Sequence, residues 1–251
     1  MEYTFQKTYP VIASAVDRFD RLKLSQLLNV IQQAAGDHCI LLGAHREALM
    51  EKGLFWAVLR HRVQITRLPK CGETLTVQTW PMPTTRTAFP RSTVAWDAQG
   101  NECFRAISLW ILMDEKSRAM VLPGKTDVAV DGALLGGELT LPGSIVPRPL
   151  GNNHSRAVRF TDLDVNGHMN NCRYMDWVTD ILPSAFHGQN EPREFTVCYL
   201  SEATENENLS LGWELSSQGE LTVNAAREED PQSPGHSRVF AAKITYENGV
   251  L

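Results

Sequence analysis

Residues 24 to 35 read Leu-Ser-Gln-Leu-Leu-Asn-Val-Ile-Gln-Gln-Ala-Ala. Their apolar side chains recur at intervals of three and four residues, which is the spacing of one face of an α-helix. A strand-like segment precedes this helix, and four more follow it, separated by turn-forming residues such as Gly72 and Gly100. The predicted strands cover residues 3–16, 56–68, 74–80, 92–97 and 103–113. One long helix followed by antiparallel strands predicts an α+β unit whose sheet covers the apolar face of the helix.

The second half of the chain repeats this order of elements. Its predicted helix has an apolar face formed by Met169, Cys172, Met175, Val178, Ile181 and Leu182. Its predicted strands cover residues 154–160, 195–201, 209–215, 221–226 and 238–246. The two apolar faces align at a shift of 145 positions, from Leu24 to Met169. We therefore predict two tandem α+β domains, residues 1–121 and 153–251, joined by a Gly/Pro-rich linker of residues 122–152.

The composition limits the classes of function. A net charge of -5 argues against non-specific nucleic-acid binding, which needs a strongly basic surface. No apolar run is long enough to span a bilayer, and the first residues show no signal-peptide pattern, so we expect a cytoplasmic protein. The five cysteines are odd in number and lack CxxC spacing, which favours packing residues in a reducing compartment. We expect neither a metal nor another cofactor.

The most unusual stretch is residues 161–174, which place two carboxylates, three amides and an imidazole directly ahead of the second predicted helix. A helix start offers unpaired backbone N–H groups and a partial positive charge, which can stabilise an oxyanion. Asp164, Asn166 and His168 alternate, so an extended chain would point their side chains to one side.

Within this stretch, Gly167 would allow a substrate carbonyl to approach the backbone closely. We expect the N–H groups of Gly167, His168 and Met169 to bind the oxyanion. Capping is the alternative interpretation, because Asp and Asn often precede helices. The equivalent positions of the first copy are predicted to be Phe19, Arg21 and Lys23. A helix is predicted there without the polar cluster, which favours a functional role for the cluster.

The polar stretch resembles the signature of the acyl-acyl carrier protein (acyl-ACP) thioesterases, which generally reads Asp-x-Asn-x-His-(Val/Met)-Asn-Asn-x-x-Tyr. Shorter stretches beginning at Leu27, Thr79 and Ser108 are similar to the same family. The resemblance implies a double hot-dog fold, in which each antiparallel sheet wraps a long central helix. It also implies hydrolysis of fatty acyl-ACP to free fatty acid and holo-ACP. The partner is then an acyl carrier protein whose 4′-phosphopantetheine carries the acyl chain.

The resemblance further implies that Asp164, Asn166 and His168 are active-site residues, and that Glu202 is the carboxylate of a Tyr-x-x-Glu segment. Plant members often have a cysteine directly after this glutamate, whereas this chain has Ala203. We expect Glu202 to act as a general base on water, or Glu202 or Asp164 to attack the thioester directly. Asn166 would orient the water or the carbonyl, and His168 would position Asn166 or help protonate the thiolate.

Other functions are compatible with the sequence. They are an acyl-CoA thioesterase, a hot-dog dehydratase or hydratase, and a non-catalytic acyl-thioester binding protein; a homodimer is also compatible. Because acyl carrier proteins are acidic, the entrance to the site should be basic. The cations available for this, none assigned as a contact, are Arg60, Arg62, Arg67, Lys70, Arg86, Arg91 and Arg173. Residues that suit an acyl tunnel, and suit a plain core equally, are Leu28, Ile31, Trp56 and Val58.

Overall fold

The structure is a computed structural model that describes residues 3–130, 132–227 and 238–247. The chain divides into two compact units, residues 1–142 and 143–251. This division falls inside the segment predicted as a linker, and the predicted domain boundaries stay predictions. Across the described ranges, no helix combines the length and the apolar composition that crossing a membrane requires.

The first unit packs one long helix against an antiparallel sheet. Its strands are β1 Phe5–Pro10, β2 Leu54–Ile65, β3 Thr74–Pro81, β4 Phe89–Trp96, β5 Glu102–Asp114 and β6 Met120–Val121. They pair in the order β1-β3-β4-β5-β2, and β6 adds to β5. Helix α1 (Leu24–Leu41) contacts β1 and β3, and α2 (Arg46–Met50) contacts β2. The residues predicted to form the apolar face of α1 are all buried, as the pattern predicted: Leu24, Leu27, Leu28, Ile31, Ala34 and Ala35.

The second unit has the same plan. Its strands are β7 Asn152–Ala157, β8 Pro192–Tyr199, β9 Asn208–Leu215, β10 Glu220–Arg227 and β11 Arg238–Tyr246. They pair in the order β8-β11-β10-β9-β7. Helix α3 (Arg173–Thr179) lies against β11 through Tyr174 and Phe240, whose ring centroids are 4.8 Å apart. Helix α4 (Ser184–Gln189) does so through Phe186 and Tyr246, at 4.9 Å. The predicted α+β class is therefore confirmed.

The helix of the second unit differs from the single long helix predicted for it. It begins at Arg173, so Met169 lies ahead of it, and it ends after seven residues, whereas α1 has 18. Pro183 precedes α4, and proline cannot continue a helix because it lacks an N–H and clashes with the preceding turn. His187 contacts the Thr179 carbonyl at 2.9 Å and so satisfies a carbonyl that the break exposes.

The first part of the predicted linker packs onto the first unit. Val128 and Val130 are buried in a cluster with Phe89 and Leu112. Further along, Arg62 donates to Thr140 Oγ1 at 2.6 Å. Arg60 likewise donates to the Pro142 carbonyl at 3.1 Å. In the described part of residues 126–151 there is neither helix nor strand, so side-chain burial and these polar contacts hold the segment in place.

Candidate active site

The predicted site residues lie in a tight turn formed by residues 163–169, which a β-bridge between its first and last residues closes. Asp164 Oδ1 accepts hydrogen bonds from the backbone N–H groups of Asn166 (2.8 Å) and His168 (3.4 Å). Gly167 has a φ of +76°, which glycine adopts without strain. The expectation of an extended segment with three side chains on one side is wrong, because the Asp164 carboxylate folds back to stabilise its own turn.

The first unit contains a matching turn, formed by residues 16–22. Asp17 Oδ1 accepts hydrogen bonds from the N–H groups of Phe19 (2.8 Å) and Arg21 (3.0 Å). Asp20 has a φ of +59°, as Gly167 has a positive φ in the second turn. The two turns therefore share their backbone path and their aspartate.

This match corrects the predicted equivalences. The residues of the first copy that correspond to Asp164, Asn166 and His168 are Asp17, Phe19 and Arg21, not Phe19, Arg21 and Lys23. The alignment of the apolar faces is two positions off because Met169 belongs to the turn and not to the helix. Turn capping therefore accounts for an aspartate at position 164, whereas it accounts for neither Asn166 nor His168.

The turn brings His168 next to Glu202. His168 Nε2 lies 3.5 Å from Glu202 Oε2, and the two side chains are 28% and 46% exposed. Glu202 follows the end of β8, and the two segments are tied together because the Met169 N–H donates to the Ala203 carbonyl at 2.8 Å. A carboxylate beside an imidazole, both open to solvent, is an arrangement suited to moving protons.

The first copy has no such pair. Leu22 N–H donates to the Pro69 carbonyl at 2.8 Å, which is the counterpart of the bond from Met169 to Ala203. The residues that correspond to His168 and Glu202 are therefore Arg21 and Leu68. The two copies share the scaffold, and the His–Glu pair belongs to the second copy alone.

Two family models match the chain, the acyl-ACP thioesterase N-terminal domain over residues 2–123 and the C-terminal domain over residues 150–244. The chain belongs to the acyl-ACP thioesterase family. A chloroplastic acyl-[acyl-carrier-protein] hydrolase of Cuphea viscosissima is 21% identical over 98% of this chain. A chloroplastic dodecanoyl-[acyl-carrier-protein] hydrolase of Cinnamomum camphora is 24% identical over 96% of it. The chain spans 60% of the first relative and 67% of the second.

The fold of this acyl-ACP thioesterase family member is also seen in a solved structure. The acyl-ACP thioesterase from Bacteroides thetaiotaomicron superposes with a TM-score of 0.82 at 23% sequence identity, over 98% of both chains. This likeness confirms the predicted double hot-dog fold. The catalytic roles of Asp164, Asn166, His168 and Glu202 stay predictions.

Two tyrosines of the family motifs brace the site. Tyr199, at the end of β8, donates its hydroxyl to the Asn171 carbonyl at 2.9 Å and so joins the strand before Glu202 to the chain after His168. Its ring packs edge-on against Tyr174 of α3, with centroids 5.6 Å apart.

The backbone N–H groups predicted to bind the oxyanion already donate to acceptors within the protein. Gly167 N–H donates to the Asp164 carbonyl at 3.1 Å, and Met169 N–H donates to Ala203. His168 N–H makes the long bond to Asp164 Oδ1. Helix α3 begins at Arg173, five residues after His168, so these amides do not belong to its first turn. These amides hold the turn in shape.

The cysteines near this site are packing residues, as the sequence predicted. Cys172 and Cys198 are each 1% exposed, and burial raises the pKa of Cys172 to about 12. Ala203, at the position where plant family members often have cysteine, is fully buried. A buried thiol with a raised pKa is a poor nucleophile.

Several of the cations available for a basic entrance are engaged elsewhere. Arg91 is 4% exposed and contacts His38 Nδ1 at 3.0 Å, so it cannot meet a carrier protein. Arg67 pairs with Glu73 and Asp97. Arg86 is exposed and lines a cavity of about 600 Å³ in the first unit, between residues 84–89 and 122–130. The catalytic candidates lie in the second unit and do not line this cavity.

Proposed function

We propose that this protein hydrolyses fatty acyl-ACP thioesters to free fatty acid and holo-ACP. The observation that carries the proposal is the pair of His168 and Glu202, 3.5 Å apart, which only the second of two matching scaffolds contains. Family membership, and the activity for which the plant relatives are named, support acyl-ACP as the substrate.

In the proposed reaction, Glu202 takes a proton from water as the water oxygen bonds to the acyl carbon. The tetrahedral intermediate then collapses with cleavage of the carbon–sulfur bond. The proton reaches the leaving thiolate through His168, whose Nε2 lies beside the Glu202 carboxylate. The products are a fatty acid and the free thiol of the carrier.

Asn166 and Asp164 have supporting roles in this proposal. Asn166 is exposed in the turn, its Nδ2 lies 3.3 Å from Asp164 Oδ2, and its amide would polarise the thioester carbonyl. Asp164 would orient Asn166 and set the shape of the turn. An oxyanion role for the backbone of Gly167, His168 and Met169 would need these amides to exchange their present acceptors for the substrate.

The alternative mechanism has Glu202 or Asp164 attack the acyl carbon and form a mixed anhydride, which water then cleaves. The exposure of Glu202 is compatible with either role. The Asp164 carboxylate accepts hydrogen bonds from its own turn, which disfavours Asp164 as the nucleophile because an attack would break them. Single-turnover hydrolysis in ¹⁸O-water leaves label in the enzyme only if an anhydride forms and water attacks its enzyme carboxyl carbon. Direct attack by water, and an anhydride cleaved at the fatty acyl carbon, both place the label in the fatty acid, and trapping of the acyl-enzyme with hydroxylamine distinguishes these two cases.

The first test is thiol release from acyl-ACP by wild type and Glu202→Gln. We expect the substitution to lower kcat by about 10²–10⁴-fold, because it removes the base but keeps the size of the side chain. Glu205→Gln is the matched control, since Glu205 is an exposed carboxylate in the same loop. Near-normal turnover by Glu202→Gln would remove Glu202 from the mechanism.

The same assay with a panel of acyl-ACP and acyl-CoA substrates of different chain lengths tests the carrier. Preference for acyl-CoA would replace the proposed substrate, and binding without turnover would leave an acyl-thioester binding protein. Hydration of an enoyl thioester, or dehydration of a β-hydroxyacyl thioester, would indicate the hydratase or dehydratase.

A cytoplasmic location and a homodimer remain part of the proposal. The buried thiols of Cys103, Cys172 and Cys198 support a reducing compartment. Cell fractionation checks the location, and light scattering on the purified protein checks the oligomeric state.

A further inference from the structure

Arg227, at the end of β10, holds the backbone of the loop that carries Glu202. Its Nη2 donates to the Glu202 carbonyl, and its Nη1 donates to Ser201 Oγ at 2.9 Å. Its Nε donates to Glu207 Oε2 at 3.0 Å. One planar guanidinium thus contacts both ends of the loop, and it reaches the peptide unit of Glu202 directly.

The first copy stabilises its equivalent loop differently. By strand register, Arg227 corresponds to Asp97, and Ser201 corresponds to Arg67. Arg67 donates to Glu73 Oε2 at 2.6 Å and to Asp97 Oδ2 at 2.8 Å. Both loops therefore contain an arginine–glutamate pair, but the arginines occupy different positions. In the first copy the arginine follows β2, whereas in the second copy it is the last residue of β10.

The different position of the arginine matters at Glu202. In the second copy the guanidinium comes from β10 and reaches the carbonyl of the residue whose side chain faces His168. In the first copy that residue is Leu68, which is buried and has no proton to transfer. An arginine at either position would be enough to anchor the loop. The position found in the second copy, with a hydrogen bond to the Glu202 carbonyl, therefore fits a role in orienting Glu202.

We propose that Arg227 is a positioning residue that fixes the peptide unit of Glu202 and thereby holds the Glu202 carboxylate against His168. The inference rests on the proposed function and adds to it a residue that does not touch the substrate. A fork-shaped donor suits this role, because it fixes the direction of several bonds at once, whereas a lysine ammonium fixes only a point charge.

The test compares Arg227→Gln and Arg227→Lys with Arg67→Gln, which removes the corresponding guanidinium from the first copy. Each variant is assayed for kcat, KM and melting temperature, at a temperature where all are folded. We expect Arg227→Gln to lower kcat by about 10–100-fold with KM changed less than about threefold, since small displacements of a reacting group have effects of this size. Arg227→Lys should recover part of the loss. Arg67→Gln should lower the melting temperature but keep kcat.

A second readout does not depend on turnover. The ¹⁵N chemical shifts of the His168 ring report its contact with Glu202, and we expect them to move in Arg227→Gln but not in Arg67→Gln. Unchanged His168 shifts together with unchanged kcat in Arg227→Gln would overturn the inference, as would equal losses of kcat in both glutamine variants. If wild type hydrolyses no acyl thioester, the proposed function fails, and the His168 shifts alone decide whether Arg227 sets the geometry of the pair.

Discussion

Asp164 shows how one residue of a functional motif can have a structural explanation. Its counterpart Asp17 makes the same backbone hydrogen bonds in a copy that lacks the His–Glu pair. What distinguishes the second turn is Asn166 and His168, which replace Phe19 and Arg21. The side chains that differ between the copies are therefore stronger candidates for chemistry than the aspartate that both copies share.

At the residue scale we predict that Asp164→Ala and Asp17→Ala each lower the free energy of unfolding by about 1–3 kcal/mol, because each removes a charged acceptor of backbone N–H groups. Only Asp164→Ala should also lower kcat, by more than about 10-fold, since only its turn carries His168. Urea unfolding and thiol-release assays on both variants check this. A loss of activity without any loss of stability in Asp164→Ala would instead give Asp164 a purely chemical role.

At the scale of elements, the Gly/Pro-rich segment is more ordered than its composition suggests. A Cβ on Gly132 would lie 1.7 Å from the Pro81 carbonyl oxygen, whereas a Cβ on Gly124 would meet nothing within 4 Å. Gly132 therefore allows the segment to lie directly against the end of β3, close to where Val128 and Val130 enter the core.

We predict that Gly132→Ala destabilises the protein by about 1–3 kcal/mol. The added Cβ would clash with backbone atoms of Pro81, which cannot move aside as a flexible side chain can. Gly124→Ala, in the same segment, should stay within about 0.5 kcal/mol of wild type. Thermal unfolding of the two variants under one condition makes the comparison. Equal stability of both would mean that the segment does not lie against Pro81 in solution.

At the scale of the whole molecule, buried histidines make the stability depend on pH. Burial lowers the pKa of His61 to about 3, and burial followed by the charge of Arg91 lowers that of His38 to about 4. His61 contacts Ser108 and Trp110. Histidines of the unfolded chain titrate near pH 6.5, so below that pH the unfolded state binds protons that the folded state does not.

The free energy of unfolding should therefore fall as pH drops from about 6.5 towards 4, by at most about 1.4 kcal/mol per pH unit for each histidine. Urea midpoints at pH 7.5, 6 and 5 measure the slope. His61→Gln should have a shallower slope than wild type, whatever its absolute stability, and His38→Gln provides a second, independent comparison. A slope unchanged in both variants would show that these histidines are not buried neutral in solution.

The sequence predicted several elements well because their signals are local. The apolar spacing from Leu24 to Ala35 gave the buried face of α1, and the predicted strand of residues 238–246 matches β11. The same spacing predicted too long a helix in the second copy, because periodicity alone shows neither that Met169 belongs to a turn nor that Pro183 lacks the N–H needed to continue the helix past Thr179. Residues 161–174 were correctly singled out as unusual, but whether the chain there is extended or turned depends on where the Asp164 carboxylate finds its donors.

By itself, the sequence determined the α+β class, the tandem repeat and the family, because periodicity, element order and motif residues are carried along the chain. Tertiary structure alone decided that His168 meets Glu202, 34 positions further along the chain, that Asp17 matches Asp164, and that Arg227 anchors the loop of Glu202. These contacts join separate strands and turns, whose register is set by sheet pairing and packing and not by any local pattern.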